Sequence, residues 1–186
     1  MRSTISLFGS SRRNGNTGKL IDVVASNLGI EVVDLSGKNI SAFDYEHRNR
    51  SDDFEPLMER ILGYEQIILA SPVYWYAASP PMKIFLDRIS DYLDLPDLLE
   101  KGRKLRGKRG YVVCTSVFDE VSPTFISAFR ETFEYLGMTF GGFLHVNCKE
   151  NFNATNHKND IDAFVALIKE DAGHREARSF FLTERR

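Results

Sequence analysis

Cysteine is scarce: there are two in 186 residues. Cys114 and Cys148 lie far apart in the chain, which excludes a redox CxxC pair and a zinc-ligand cluster. Both sit in or beside apolar runs, as buried inert thiols do. The pattern suits a reducing, cytoplasmic compartment. The four histidines (His47, His145, His157 and His174) include no pair at metal-binding helical spacing and read as structural or exposed. No apolar stretch approaches the roughly 18 residues of a membrane span. The opening MRSTISLFGSSRR has too short an apolar run for a signal peptide and no small-residue cleavage site after one. An excess of charge is missing too: 24 basic against 26 acidic side chains leave a net charge of −2. That argues against a dedicated nucleic-acid binder and, more weakly, against an acidic docking protein.

What the chain has is 42% hydrophobic and 12% aromatic residues in a length that suits one domain. Such a length buries about 70% of its unfolded surface, so folding needs neither disulfide nor structural metal. Apolar runs of strand length alternate with segments of helical period. The strands are expected at Thr4–Phe8, Ile30–Leu35, Gln66–Ala70, Gly110–Thr115 and Thr139–Val146. The helices are expected from Thr17 to Leu28 and over Asp53–Leu62, Pro80–Leu93, Pro123–Leu136 and Asp160–Ala172. Gly29 and Gly137 read as helix stops, and Pro81 suits the first turn of its helix. Five strands alternating with five helices predict a three-layer α/β fold, a parallel sheet covered on both faces. The domain is expected over 1–172, with 173–186 as an exposed extension or partner-binding arm. Ligands of such folds sit beyond the carboxyl ends of the strands. Attention therefore falls on the loops after Phe8, Ala70 and Thr115.

The first loop runs from Gly9 to Lys19 and is rich in small residues, hydroxyls and amides, with two arginines. A helix N-terminus with free N–H groups and a positive dipole end attracts anions. Ser10, Asn16 and Thr17 add side-chain donors, and Arg12 adds a charge suited to bidentate phosphate contact. One ordinary N-cap needs only one such residue. A Walker A loop is excluded, because Leu20 follows Gly18-Lys19 and Arg13 holds the earlier glycine position. The dinucleotide fingerprint fails at Arg13 as well. A monophosphate cradled by hydroxyls and N–H groups remains.

In the second loop, three consecutive aromatics (Tyr74, Trp75 and Tyr76) follow Ser71-Pro72-Val73. Side chains alternate at a strand end, so at least one aromatic must face a crevice or a partner. A planar ring suits such a wall; packing under the next helix is the competing reading.

The two loops together carry a resemblance. Gly9-Ser10-Ser11-Arg12 with Gly15-Asn16-Thr17, then Ser71-Pro72-Val73-Tyr74-Trp75-Tyr76 and Met82-Lys83-Ile84-Phe85-Leu86-Asp87-Arg88, resemble the NAD(P)H-dependent FMN reductase and quinone reductase family of flavodoxin-like proteins. Asp44-Tyr45, Asp52-Asp53-Phe54 and Tyr135-Leu136-Gly137-Met138 fit the same family, and the likeness spans about residues 3–146. The resemblance implies a sheet of order 2-1-3-4-5, noncovalent FMN, NAD(P)H as cosubstrate, a small-molecule electron acceptor, and a homodimer or homotetramer. It implies that Ser10, Arg12, Asn16 and Thr17 hold the FMN phosphate, with Ser11 and Asn14 in the same loop. It implies that Pro72, Val73, Tyr74 and Trp75, with Tyr76, line the isoalloxazine, and that Thr115 and Ser116 reach the flavin edge. Phe118 departs from relatives that carry glycines after the fourth strand. The cofactor carries the hard chemistry, so no catalytic residue is assigned. An electron-carrier flavodoxin docking a protein, and a flavin-free binding protein, are the competing functions. The basic block Lys101–Arg109 is a solvated connector or a contact for a nucleotide phosphate or an acidic subunit. The polar stretch Ser36–Asp53 is a candidate subunit contact.

Overall fold

The structure, a computed structural model, describes residues 2–183, with side chains from Ser3 to Gly173. The strands are β1 (Arg2–Phe8), β2 (Val32–Asp34), β3 (Tyr64–Pro72), β4 (Arg109–Ser116) and β5 (Thr139–Asn147). All pair in parallel, in the order β2-β1-β3-β4-β5. The helices are α1 (Asn16–Leu28), α2 (Phe54–Ile61), α3 (Pro80–Arg88), α4 (Asp91–Asp94), α5 (Leu99–Gly102), α6 (Pro123–Tyr135) and α7 (Lys158–Thr183).

Period-two alternation in the buried strands feeds two cores. Ile67 and Leu69 of β3 join Phe54, Met82, Phe85, Phe125 and Phe129 on one face. Ile68 and Ala70 join Leu20, Ile21, Val24, Ile161 and Phe164 on the other. Two glycines make room for rings: a Cβ on Gly110 would meet the Phe133 ring of α6 at 2.5 Å, and one on Gly141 the Tyr111 ring of the neighbouring strand at 2.3 Å. Strand order reverses between β1 and β3, so their carboxyl ends diverge into a crevice.

Three expectations are corrected. The helix expected over Pro80–Leu93 breaks after Arg88. There Ile89 and Ser90 donate to Leu86 and Asp87, closing tighter i→i+3 turns. The short α5 was also not foreseen, so the described residues hold seven α-helical segments rather than five. The last helix does not stop at Ala172 but runs to Thr183. The expected extension 173–186 is therefore helical through Thr183, and residues 184–186 lie outside the described residues.

The basic block lies at the amino end of β4, opposite the crevice. Lys101 pairs with Glu59, Arg103 with Glu100, and Arg109 with Asp171. Lys108 is buried and donates to the carbonyls of Leu62 and Tyr64. About 20 Å of strand separates this end from the crevice. The block is a connector tied down by ion pairs, and contact with a ligand in the crevice is out of its reach.

No helix of the described residues is long and apolar enough to cross a membrane, and no group of three or more His, Cys, Asp or Glu among them could hold a metal ion.

Candidate active site

The crevice holds a cleft of about 220 Å³. Nine of the expected site residues line it: Ser10, Arg12, Asn16 and Thr17 after β1, Pro72, Val73 and Tyr74 after β3, and Thr115 and Ser116 at the end of β4. Ser11, Asn14, Trp75 and Tyr76 are exposed beside it and do not line it. Sequence reasoning missed Gly15, Val117 and Cys148, which also form its wall.

The first loop is shaped by close backbone packing. Gly9 sits where a Cβ would come within 2.8 Å of the Met82 backbone nitrogen, so α3 presses on the end of β1. Gly18 is tighter still, because a Cβ there would lie 1.9 Å from the Arg13 carbonyl oxygen. Helix α1 opens without a side-chain cap. Its first helical donor is Lys19, bonded to the Gly15 carbonyl at 3.0 Å. The N–H groups of Asn16, Thr17 and Gly18 thus have no partner among the described residues and point out of the positive end of the helix.

The two arginines divide. Arg13 grips Asp22 through both terminal nitrogens, lies near Asp34, and stacks over Phe8 at 5.1 Å. The hydrogen bond it donates to Asp22, working against burial, holds its guanidinium above the ordinary range. Arg12 is exposed and makes no ion pair among the described residues. One arginine therefore fixes the loop, and the other is available to a ligand.

Two hydroxyl clasps set the loops against each other. Thr17 Oγ1 meets Thr115 Oγ1 at 2.6 Å in a buried contact across the cleft floor. Ser79 Oγ donates to the Gly9 carbonyl at 2.7 Å, while Ser71 Oγ accepts from the Ser79 N–H at 3.0 Å. Ser71 and Ser79 went unassigned in sequence reasoning. The signal was the repeated Ser-Pro dipeptide, 71–72 and 79–80, at the two ends of the aromatic loop.

The aromatic loop is strained. Tyr74 and Ala77 exchange two backbone hydrogen bonds of 3.0 Å, closing a two-residue turn. Its central residues, Trp75 and Tyr76, have φ of 50° and 64°. Positive φ at both positions normally selects Asn-Gly, and bulky residues there cost about 1–3 kcal/mol each. The strain presents aromatics to solvent: Trp75 is 94% exposed, and Tyr76 stacks on Phe118 with ring centroids 6.4 Å apart. The variant Trp75→Asn/Tyr76→Gly is expected to melt at higher temperature without cofactor. A gain of about 1–2 kcal/mol corresponds to roughly 2–4 °C per kcal/mol in a chain of this size. An unchanged or lower melting temperature by calorimetry contradicts this.

At the far wall, Ser116 Oγ lies 2.8 Å from His145 Nε2 and accepts from the Phe118 N–H at 3.1 Å. Sequence reasoning had set all the histidines aside. Burial, with a smaller push from His157, holds His145 below the ordinary histidine range. Burial raises the Cys148 thiol and pushes Cys114 up to about 12, so neither is a thiolate near neutrality.

These features fit a flavin mononucleotide: N–H groups and a guanidinium without partners among the described residues for the phosphate, and an open aromatic wall, where the Trp75 and Tyr76 N–H groups likewise have no partner among the described residues, for a ring. The comparisons agree. The chain is 28% identical over 144 residues to a putative NAD(P)H-dependent FMN-containing oxidoreductase of Bacillus subtilis, covering 73% of this chain and 80% of that one. It is 31% identical over 109 residues to an iron-sulfur flavoprotein of Archaeoglobus fulgidus, about half of each protein. Two buried cysteines fall short of the four thiolates that an iron–sulfur cluster takes. Among solved structures it resembles the Trp repressor binding protein of Bacillus subtilis (TM-score 0.71, 23% identity, 89% of this chain and 97% of that one). Residues 3–143 match the family described as NADPH-dependent FMN reductase, and the chain belongs to that family.

Proposed function

We propose that the chain is an FMN-dependent oxidoreductase that takes hydride from NAD(P)H and passes electrons to a small diffusible acceptor, a quinone, a free flavin or a similar molecule. The observation that carries this reading is the open cleft joining an unpaired Arg12 and three free helix N–H groups to an aromatic wall. FMN, when bound, supplies the hydride- and electron-accepting chemistry.

The chain's own residues bind and orient. Arg12, Ser10 and the N–H groups of Asn16, Thr17 and Gly18 hold the phosphate, with Ser11 and Asn14 at the rim. Thr17 is held in place by Thr115. Pro72, Val73 and Tyr74 support the ring, and Trp75 and Tyr76 border the face that two planar partners reach in turn. Effective catalysis then comes from holding donor and acceptor in register. We read the working form as a homodimer or homotetramer, with exposed Tyr45 and Trp75 as candidate contacts.

Steady-state oxidation of NADPH and NADH with benzoquinone, and separately with free FMN, tests the reading. Parallel double-reciprocal lines are expected, because each partner leaves before the next one binds. An FMN-loaded protein that oxidises neither nucleotide with either acceptor would be a carrier instead.

A further inference from the structure

The cleft and a larger groove of about 610 Å³ lie on either side of the end of β4. They share no lining residue, but Ser116 lines the first and His145 lines the second, and these two side chains touch at 2.8 Å. We infer that His145 and Ser116 form a proton relay from the groove into the flavin cleft, supplying the acceptor with the proton that hydride transfer does not bring. The inference rests on the reading of the cleft given above.

The balance requires such a proton. NAD(P)H delivers two electrons and one proton as hydride. A quinone reduced to its hydroquinone takes up two electrons and two protons, so one proton per turnover comes from solvent. The cleft itself holds no group suited to give it. Its lining includes no carboxylic acid and no imidazole, and its one thiol, Cys148, is raised by burial. His145 lies one hydrogen bond behind the lining. In the imidazolium both ring nitrogens carry protons and Nε2–H donates to Ser116 Oγ; as the serine hydroxyl proton passes to the acceptor, the serine oxygen takes the Nε2 proton and a neutral imidazole with Nδ1–H remains.

The groove suits resupply. Asp119 and Glu120 from the loop after β4, Asp160 from α7 and His157 from the turn before α7 are the charged and titratable groups around His145. The three carboxylates give the groove wall negative charge, while burial and His157 hold the imidazole below its ordinary range, so that once charged it gives up its proton readily. Asp119 is held by Asn147 at 2.7 Å, two residues beyond His145 on the same face of β5. Because His145 acts through Ser116, it is a positioning residue rather than a catalytic one.

The test separates the two half-reactions by stopped flow between about pH 5 and pH 9, in the wild type, His145→Gln, Ser116→Ala and Ser116→Thr. The ratio of the benzoquinone half-reaction rate to the NADPH half-reaction rate is expected to fall about 100-fold in His145→Gln at pH 6. In the wild type this ratio should follow one titration, and His145→Gln should abolish that inflection. Ser116→Ala should behave alike, and Ser116→Thr, which keeps the hydroxyl, should restore the ratio. A second readout needs no cofactor: the NMR titration of the His145 ring in the FMN-free protein should match the inflection, move in Ser116→Ala and return in Ser116→Thr. An inflection that persists in His145→Gln, or a ratio that does not change, overturns the relay. A wild type whose flavin NADPH does not reduce overturns the reading beneath it instead.

Discussion

Gly18→Ala is expected to strip the protein of FMN. The added Cβ would lie 1.9 Å from the Arg13 carbonyl oxygen, a backbone atom that cannot swing aside. Either α1 or the Arg12–Arg13 segment must shift, and both carry the proposed phosphate donors. The loss should exceed that of Arg12→Ala, which leaves the backbone alone and removes one charged partner worth about 1.5–3 kcal/mol, roughly a 10- to 100-fold weaker affinity. Trp75 provides the readout, since it is the single tryptophan, is 94% exposed and sits beside the cleft. Its fluorescence should be quenched as FMN is added to the wild type, at higher FMN in Arg12→Ala, and not at all in Gly18→Ala. Circular dichroism should show that the sheet remains. Equal FMN affinities in Gly18→Ala and the wild type would place the phosphate elsewhere.

Arg88→Met should cost about 3–5 kcal/mol of stability, the usual penalty for orphaning a buried charge. Arg88 is fully buried and bonds Asp91, itself fully buried, together with Asp52 and the Ser41 carbonyl. It also lies 4.6 Å over the Phe54 ring. The methionine would leave two carboxylates without their cation, Asp91 beside His47 at 2.9 Å and Asp52 accepting from the Ser41 and Phe54 N–H groups. The acid limb identifies the cause. Burial pushes Asp52 upward, but the Arg88 hydrogen bond and the N–H groups of Ser41 and Phe54 outweigh it and hold the carboxyl below its ordinary value. A depressed folded pKa contributes stability that is full above the unfolded value near 4 and is lost as pH falls through the folded one. The wild type should therefore weaken below about pH 4. In Arg88→Met the unpaired carboxylates favour protonation, so stability should rise on acidification from pH 7 toward 5. Urea unfolding at several pH values measures both. A loss under 1 kcal/mol, or parallel pH profiles, contradicts the account.

The elements that bury apolar faces were legible in the chain. Strand runs such as Gln66–Ala70 and the phenylalanine stripe of α6 show their period directly, and the order β2-β1-β3-β4-β5 followed from the resemblance they support. Seven cleft residues were legible because loop chemistry after β1 and β3 is local, and Thr115 and Ser116 came with the resemblance. What stayed hidden depends on tertiary partners. Nothing near Arg13 in the chain says that Asp22 claims it while Arg12 stays free. Thr17 and Thr115, 98 positions apart, meet only once the sheet has formed. His145 becomes interesting only when register sets Cys114 against it and brings Ser116 within reach. The basic block was open between connector and ligand contact in the sequence, and only the folded partners Glu59 and Asp171 favour the connector.

The most direct measurement is an anaerobic titration of the FMN-loaded protein with NADPH and NADH, followed by the visible flavin absorbance. The account predicts that the protein takes up one FMN per chain and that the flavin absorbance bleaches in proportion to added nucleotide, returning when benzoquinone is added. A protein that takes up no FMN, or whose bound FMN stays oxidised in excess of both nucleotides, would contradict it.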